Sequence, residues 1–384
     1  MIALTDCRIF TGEHWLEEHA LVINGERIVA VIPEAKLAPE VKKHSLQGAW
    51  VSAGFIDLQL NGCGGVMFNS DISSACLAHM QRTNLASGTT SFLPTLITSS
   101  DADMHRALAV TAQFMKEHPH QVLGLHLEGP YLNLARKGIH PASQVRHLDK
   151  AMLNTLCQHS EVIATLTLAP ECHSSSHIRQ LVAADIKVAI GHTDASFEQA
   201  KASFNDGISF ATHLYNAMTP TTSSGRTPGV VGAVYDSPHI GAGIIADGVH
   251  VHPANIRLAH RMLGERLCLV TDATAAAGAP SSLREFDFCG TTVFIKNGQC
   301  VDENGTLGGS SLTMIGGVRF LIKQVGLTLE QALNMASLNP ARALNKARDL
   351  GSIEPGKVAN LVILSPALEV LNTLVQGRFT RAPL

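Results

Sequence analysis

Short apolar runs recur along this chain, and what separates them divides it into three parts. Residues 1–52 alternate apolar runs with turns, and ALVINGERIVAVI (residues 20–32) reads as a β-hairpin with Asn24-Gly25 as its turn signal. The tail repeats that pattern, since GKVANLVIL (356–364) and VLNTLVQGRF (370–379) are both strand-like. Two β-rich ends around a different middle predict that they meet in one small flanking β-sandwich domain, residues 1–52 with 350–384. The second domain would then span 53–349.

The middle alternates apolar strands with amphipathic stretches. The predicted strands are FIDLQL (55–60), TTSFLP (89–94), VLGLHLE (122–128), IATLTLA (163–169), KVAIGH (187–192), ISFATHL (208–214), IGAGIIA (240–246) and LCLVTDA (267–273). Helical periods fall between most of them, over 74–86, 103–117, 197–205 and 253–262, and GGSSLTMIGGVRFLIKQVG (308–326) supplies a closing helix. Strand–helix alternation over roughly 250 residues matches an α/β fold of the (β/α)8 TIM-barrel type. A doubly wound open sheet is the competing architecture, but no GxGxxG follows the first strand.

Composition narrows the partners. The chain has 384 residues, with a formal net charge of −3 and no run of more than two Lys or Arg. Nucleic acid is therefore not an expected partner. No apolar run is long enough to span a bilayer, so no membrane association is expected. The start, MIALTDCRIFTGEHW, lacks the basic residues, apolar core and cleavage site of a signal peptide. The eight cysteines form no CxxC pair, which reads as reduced thiols in a cytoplasmic protein.

In a (β/α)8 barrel the C-terminal strand ends converge on one pocket. Here those ends carry Gln59 and Asn61, Glu128, His192, His213, Asp247 with His250, and Asp272. Glu128, ending an apolar strand before Gly-Pro, is costly to bury uncompensated, so it needs either a Lys/Arg partner or a metal. His192 and His213 each suit a core position alone. With Glu128 they form the two-His, one-carboxylate set that leaves catalytic zinc an open position, and that also suits other divalent ions. Asp272 reads either as an N-cap or as a general base for a water activated beside it.

GFIDLQLNGCGG, LHLEGPYLN, RKGIHP, IGHTDA, FATHLYNAM, IIADGVHV, LVTDATAAAG and DENGTLGGSSLTM together resemble the N-acetylglucosamine-6-phosphate deacetylases of the amidohydrolase superfamily, nearly end to end. The resemblance implies hydrolysis of the acetamide of N-acetylglucosamine-6-phosphate to glucosamine-6-phosphate and acetate, in amino-sugar catabolism and cell-wall sugar recycling. It implies one divalent metal ion per subunit, zinc first and Fe2+, Co2+ or Mn2+ otherwise, on Glu128, His192 and His213. Asp272 would be the catalytic base and acid, and His140 would bond the acetamide carbonyl. Asn216, Ala217, Arg226 and His250 would contact the sugar phosphate, and Leu307, Gly308 and Gly309 would line the acetyl end. A homodimer is implied as well.

The chain departs from the wider superfamily in two places. Gln59 and Asn61 stand where many members carry His-x-His, and Ala169, Pro170 and Glu171 stand where two-metal relatives use a bridging lysine. Both departures favour a single metal. The stretch TPTTSSGR ahead of Arg226 is longer than is usual in the family. Two other readings remain: an amidohydrolase acting on a cyclic amide or ureide, which His-x-His and the lysine would favour, and a catalytically silent sugar-phosphate-binding relative, which Asp272 and the full ligand set argue against.

Overall fold

A computed structural model of the chain describes residues 1–383. Eight parallel strands pair in chain order: Phe55–Leu60, Thr89–Ile97, Leu125–Glu128, Ile163–Leu168, Lys187–Ile190, Phe210–Ala211, Gly241–Ile245 and Leu267–Val270. The eighth returns to the first: the Asp272 amide donates to Gln59 O at 3.0 Å and the Asn61 amide donates to Ala273 O at 2.9 Å. Parallel strands need both faces covered, and every residue of Phe55–Leu60 and Thr89–Ile97 is buried.

Helices between the strands form the outer layer, including Ser74–Leu85, Asp101–Glu117, Phe197–Asn205 and Pro253–Leu263. Their starts are legible in side-chain chemistry. Ser73, Ser100 and Ser196 each accept a backbone N–H of the first turn, and Ser196 completes a capping box with Gln199. These helices and the barrel strands share one continuous apolar core.

Both chain ends join one flanking β domain, as expected. Ile2–Phe10 lies between His19–Asn24 and Lys42–Ala53, and Lys42–Ala53 pairs in turn with Leu361–Leu364 through Val51 opposite Ile363. Val370–Val375 and Arg378–Phe379 continue the same hydrogen-bonded path. Its core is a separate cluster containing Leu4, Ile9, Leu21, Val51, Leu361 and Ile363. The first hairpin differs from expectation by one residue. Asn24 pairs with Arg27, so Gly25 and Glu26 make the turn, with Gly25 at φ +58°.

The 308–326 stretch is not one helix. Leu307–Ser310 is a strand, and the helix proper is Met314–Phe320, widened into a π turn over Leu321–Val325. That strand closes an antiparallel sheet with Glu285–Phe288, Thr291–Lys296 and Gln299–Val301, inserted after the eighth barrel strand.

Candidate active site

The C-terminal strand ends bring together the residues the sequence singled out. Glu128, the last residue of the third barrel strand, is buried among His192 and His213. His192 Nε2 and His213 Nε2 lie 3.2 and 2.9 Å from the same Glu128 oxygen, and 3.1 Å from each other. His192, His213 and Asp272 leave their strands with φ of +50°, +32° and +49°. Such left-handed backbone costs on the order of 1–3 kcal/mol at each non-glycine position. Three costly conformations at one strand-end layer mark it as selected for something other than stability.

Protonation makes the point sharper. His192 Nδ1 lies 2.9 Å from the carbonyl of Arg136, which can only accept, so Nδ1 carries the proton. In the neutral ring Nε2 is then a lone pair aimed at a carboxylate oxygen and a second imidazole. That arrangement is repulsive unless a cation or a further proton sits among the three atoms. His213 Nδ1 is buried with no partner among the described residues. Burial alone would lift the Glu128 carboxyl, but His192 and His213, when they carry that further proton, hydrogen-bond it and hold it well below the usual range. Burial would lower His213, yet the Glu128 bond and charge raise it. One carboxylate and two imidazoles, buried and crowded, are a donor set that fits a divalent metal ion.

His140 belongs to the same constellation. It is buried, its ring centroid lies 4.3 Å from that of His192, and Thr98 Oγ1 holds its Nδ1 at 2.8 Å. Donor atoms of Glu128, His140 and His192 all fall within 4.8 Å of one another. Burial, then the neighbouring His192, pushes the His140 pKa well down, so its ring is neutral near pH 7.

The superfamily departures have a structural use. Gln59 Nε2 lies 3.1 and 3.2 Å from the two Glu128 oxygens and 3.1 Å from Asp272 Oδ1, and Asn61 Nδ2 donates to Asp272 Oδ1 at 2.7 Å. Two amide donors thus face two carboxylates where imidazoles would present lone pairs. Burial, then the charge of Glu128, pushes the Asp272 carboxyl up to about 6. Gly309, at φ +66°, passes so close that a Cβ there would meet the Asp272 carbonyl at 2.8 Å.

These groups open into a cavity of about 430 Å3. Asn216, Ala217 and His250 line it, with Asp247 holding His250 Nδ1 at 2.7 Å, and Leu307 and Gly309 close it from the inserted sheet. Gly308 does not line the cavity and faces Val293 and Ile139. Arg226 is likewise outside it within one chain. It sits on an exposed turn closed by the Thr222 amide on Thr227 O, beside a neighbouring cavity. Several lining residues were not anticipated, among them Arg136, Phe288 and Thr306. The inserted sheet did announce itself, through alternating TTVFIK followed by Asn297-Gly298.

The amidohydrolase family profile matches residues 50–380, and that of the NagA composite domain matches residues 1–51. The N-acetylglucosamine-6-phosphate deacetylase of Haemophilus influenzae is 46% identical over 98% of this chain and 98% of its own. The solved structure of the Pasteurella multocida N-acetylglucosamine-6-phosphate deacetylase superposes with a TM-score of 0.96, at 46% identity and 99% coverage of both chains. A mutant Mycobacterium smegmatis N-acetyl-D-glucosamine-6-phosphate deacetylase, solved with N-acetyl-D-glucosamine-6-phosphate, gives 0.89 at 31% identity and 98% coverage of both chains.

Proposed function

The chain belongs to the amidohydrolase family, and from that premise we propose that it deacetylates N-acetylglucosamine-6-phosphate by hydrolysis. The observation that carries this reading is the meeting of Glu128, His192 and His213 within 2.9–3.2 Å, at the mouth where Asp272 stands. Glu128, His192 and His213 would hold one divalent ion, zinc by preference, which when bound supplies Lewis acidity towards water and the amide carbonyl. Gln59 and Asn61 donate to carboxylates and offer no imidazole, which supports one ion per chain.

Asp272 accepts the proton of the attacking water and returns it to the departing amine nitrogen, so that water and amide become carboxylic acid and amine, which leave as acetate and the protonated amine. Asn61 Nδ2 and Gln59 Nε2 hold Asp272 Oδ1 at 2.7 and 3.1 Å, fixing the carboxylate beside Glu128. Thr98 Oγ1 lies 2.8 Å from His140 Nδ1, and in the tautomer in which that hydroxyl donates, the ring proton sits on Nε2, available to the acetamide carbonyl oxygen. Leu307 and Gly309 confine the acetyl methyl, with Gly308 supporting that strip from behind. Asn216, Ala217 and His250 take the sugar-phosphate end.

Arg226 would reach the phosphate from the partner subunit of a homodimer, because its loop points to a neighbouring cavity within its own chain. Mixing inactive Arg226→Ala and Asp272→Asn subunits should then restore activity, and absence of rescue in verified mixed dimers would rule out action in trans. No helix among the described residues is long and apolar enough to cross a membrane, and all eight cysteines are free, which supports a cytoplasmic enzyme. The direct test is acetate release from N-acetylglucosamine-6-phosphate, beside unphosphorylated N-acetylglucosamine and the galacto isomer, with elemental analysis. About one metal per chain and turnover of the phosphorylated gluco sugar are expected. No acetate from metal-replete protein would refute the reading.

A further inference from the structure

Among the described residues lining the cavity, Arg136 alone carries a permanent positive charge. It also lines the neighbouring cavity beside Arg226, so it stands on the wall between the two. Its Nε and Nη2 each lie 2.8 Å from the same Asp194 oxygen, Oδ1. Because both bonds end on one atom, Nη1 and one hydrogen of Nη2 remain for a second acceptor. Side-chain exposures of 37% and 48% make this ion pair worth little to stability. Its position, by contrast, is tightly determined. The Arg136 carbonyl is the partner of His192 Nδ1, and Thr193, between His192 and Asp194, donates its amide to Ala217 O at 3.0 Å. The Arg136 backbone is therefore anchored to the His192–Asp194 segment that borders Ala217, and Asp194 orients the guanidinium on the wall of the same cavity that Asn216 and Ala217 line.

We propose that Arg136 is the same-chain contact to the substrate's phosphate and sets the preference for a phosphorylated sugar. The inference rests on the deacetylase reading and adds a recognition residue to it. A planar guanidinium with one face tied to Asp194 keeps a preoriented fork for a phosphate dianion, and loses less freedom on binding than an unpaired side chain would. Asp194 is a positioning residue in this arrangement, and Arg136 is the group that touches the ligand.

The test compares wild type with Arg136→Gln and Arg136→Lys on N-acetylglucosamine-6-phosphate and on N-acetylglucosamine. Binding of inorganic phosphate is measured in parallel by calorimetry on the metal-replete protein. The ratio of kcat/KM for the phosphorylated over the plain sugar should fall about 10- to 100-fold in the glutamine variant, the loss expected for a charge-assisted contact to an anion. The lysine variant should recover part of it, phosphate binding should weaken in step, and metal content should not change. Equal losses on both sugars, or an unmoved ratio with unmoved phosphate affinity, would overturn the proposal. If wild type released no acetate from the phosphorylated sugar, the deacetylase reading would fail, while the phosphate titration would still decide whether Arg136 holds the anion.

Discussion

Two layers of the barrel interior, one strand repeat apart, are alike in composition and unlike in consequence. His126 and Glu128 lie on the same strand, two residues apart, and so face the same interior. Around His126 every polar atom finds a match: Thr95 Oγ1 lies 3.2 Å from Nδ1, Thr167 Oγ1 lies 2.8 Å from Nε2, and Thr167 is bonded onward to Thr212 at 2.7 Å. Hydroxyls donate or accept as needed, so the ring stays neutral in either tautomer, and burial pushes its pKa down to about 4. One layer higher, His192 Nε2 and His213 Nε2 crowd 3.1 Å apart over a single Glu128 oxygen, and His213 Nδ1 has no partner among the described residues. Buried histidine is common to both layers. What separates a structural layer from a reactive one is whether the protein satisfies its own polar groups.

Substitutions in the two layers should therefore diverge, and the widest gap is between the histidines. His213→Leu should empty the site of metal and lower kcat/KM by well over the ~10²-fold typical of losing an outer partner of a metal ligand. Without metal, that variant should melt below metal-free wild type, because it strips the buried Glu128 carboxylate of its His213 partner at 2.9 Å. His126→Leu should instead cost ~1–3 kcal/mol of stability while keeping metal and most activity, since its hydroxyl partners are left to rebond. Metal analysis and thermal denaturation of both variants decide the matter. Similar phenotypes would erase the distinction between the layers.

Asp272→Asn probes the upper layer without emptying it. It should lower kcat by ~10²–10⁴ with metal and substrate affinity retained. It should not destabilise the fold, because asparagine tolerates the φ of +49° and carries no buried charge. An activity within a few-fold of wild type would show that Asp272 is not the proton carrier.

Asp57 belongs to the lower layer yet clasps the upper. Its Oδ1 accepts the amides of Thr271 and Gln59, both at 3.2 Å, and its Oδ2 accepts the Thr271 hydroxyl. Burial outweighs these donors and pushes its carboxyl up from 3.8 to about 7. A folded pKa above the unfolded one means that the folded state holds the proton more tightly. The associated stability is full below about pH 4 and is lost as pH rises through about 7. Asp57→Asn should remove that slope, so the stability of wild type relative to the variant should decline by a few kcal/mol between pH 4 and 8. Parallel pH–stability curves would show that Asp57 ionises normally in the fold.

Much of the architecture was legible because strand and helix periods are local properties. FIDLQL coincides with Phe55–Leu60, and the helix expected over 197–205 runs Phe197–Asn205. The inserted sheet went unread although its Asn297-Gly298 turn was in plain sight, and a Gly-rich strand, Leu307–Ser310, passed for the start of a helix. Arg226 and Gly308 were placed by resemblance, and the fold of one chain leaves both outside the cavity lining, since a residue's neighbour in a motif need not share its direction.

The sequence by itself determined the alternation of strands and helices, the β-rich ends, and which residue types finish each barrel strand. Those features follow from backbone geometry and from the cost of burying polar groups, which act within a few residues. Only the tertiary structure decided that Glu128, His192 and His213 touch, that the Arg136 carbonyl fixes the His192 proton, and that Gln59 and Asn61 face carboxylates. Each of these contacts joins segments tens to hundreds of residues apart. Barrel closure sets their distances, and no local pattern in the chain encodes a distance across the barrel.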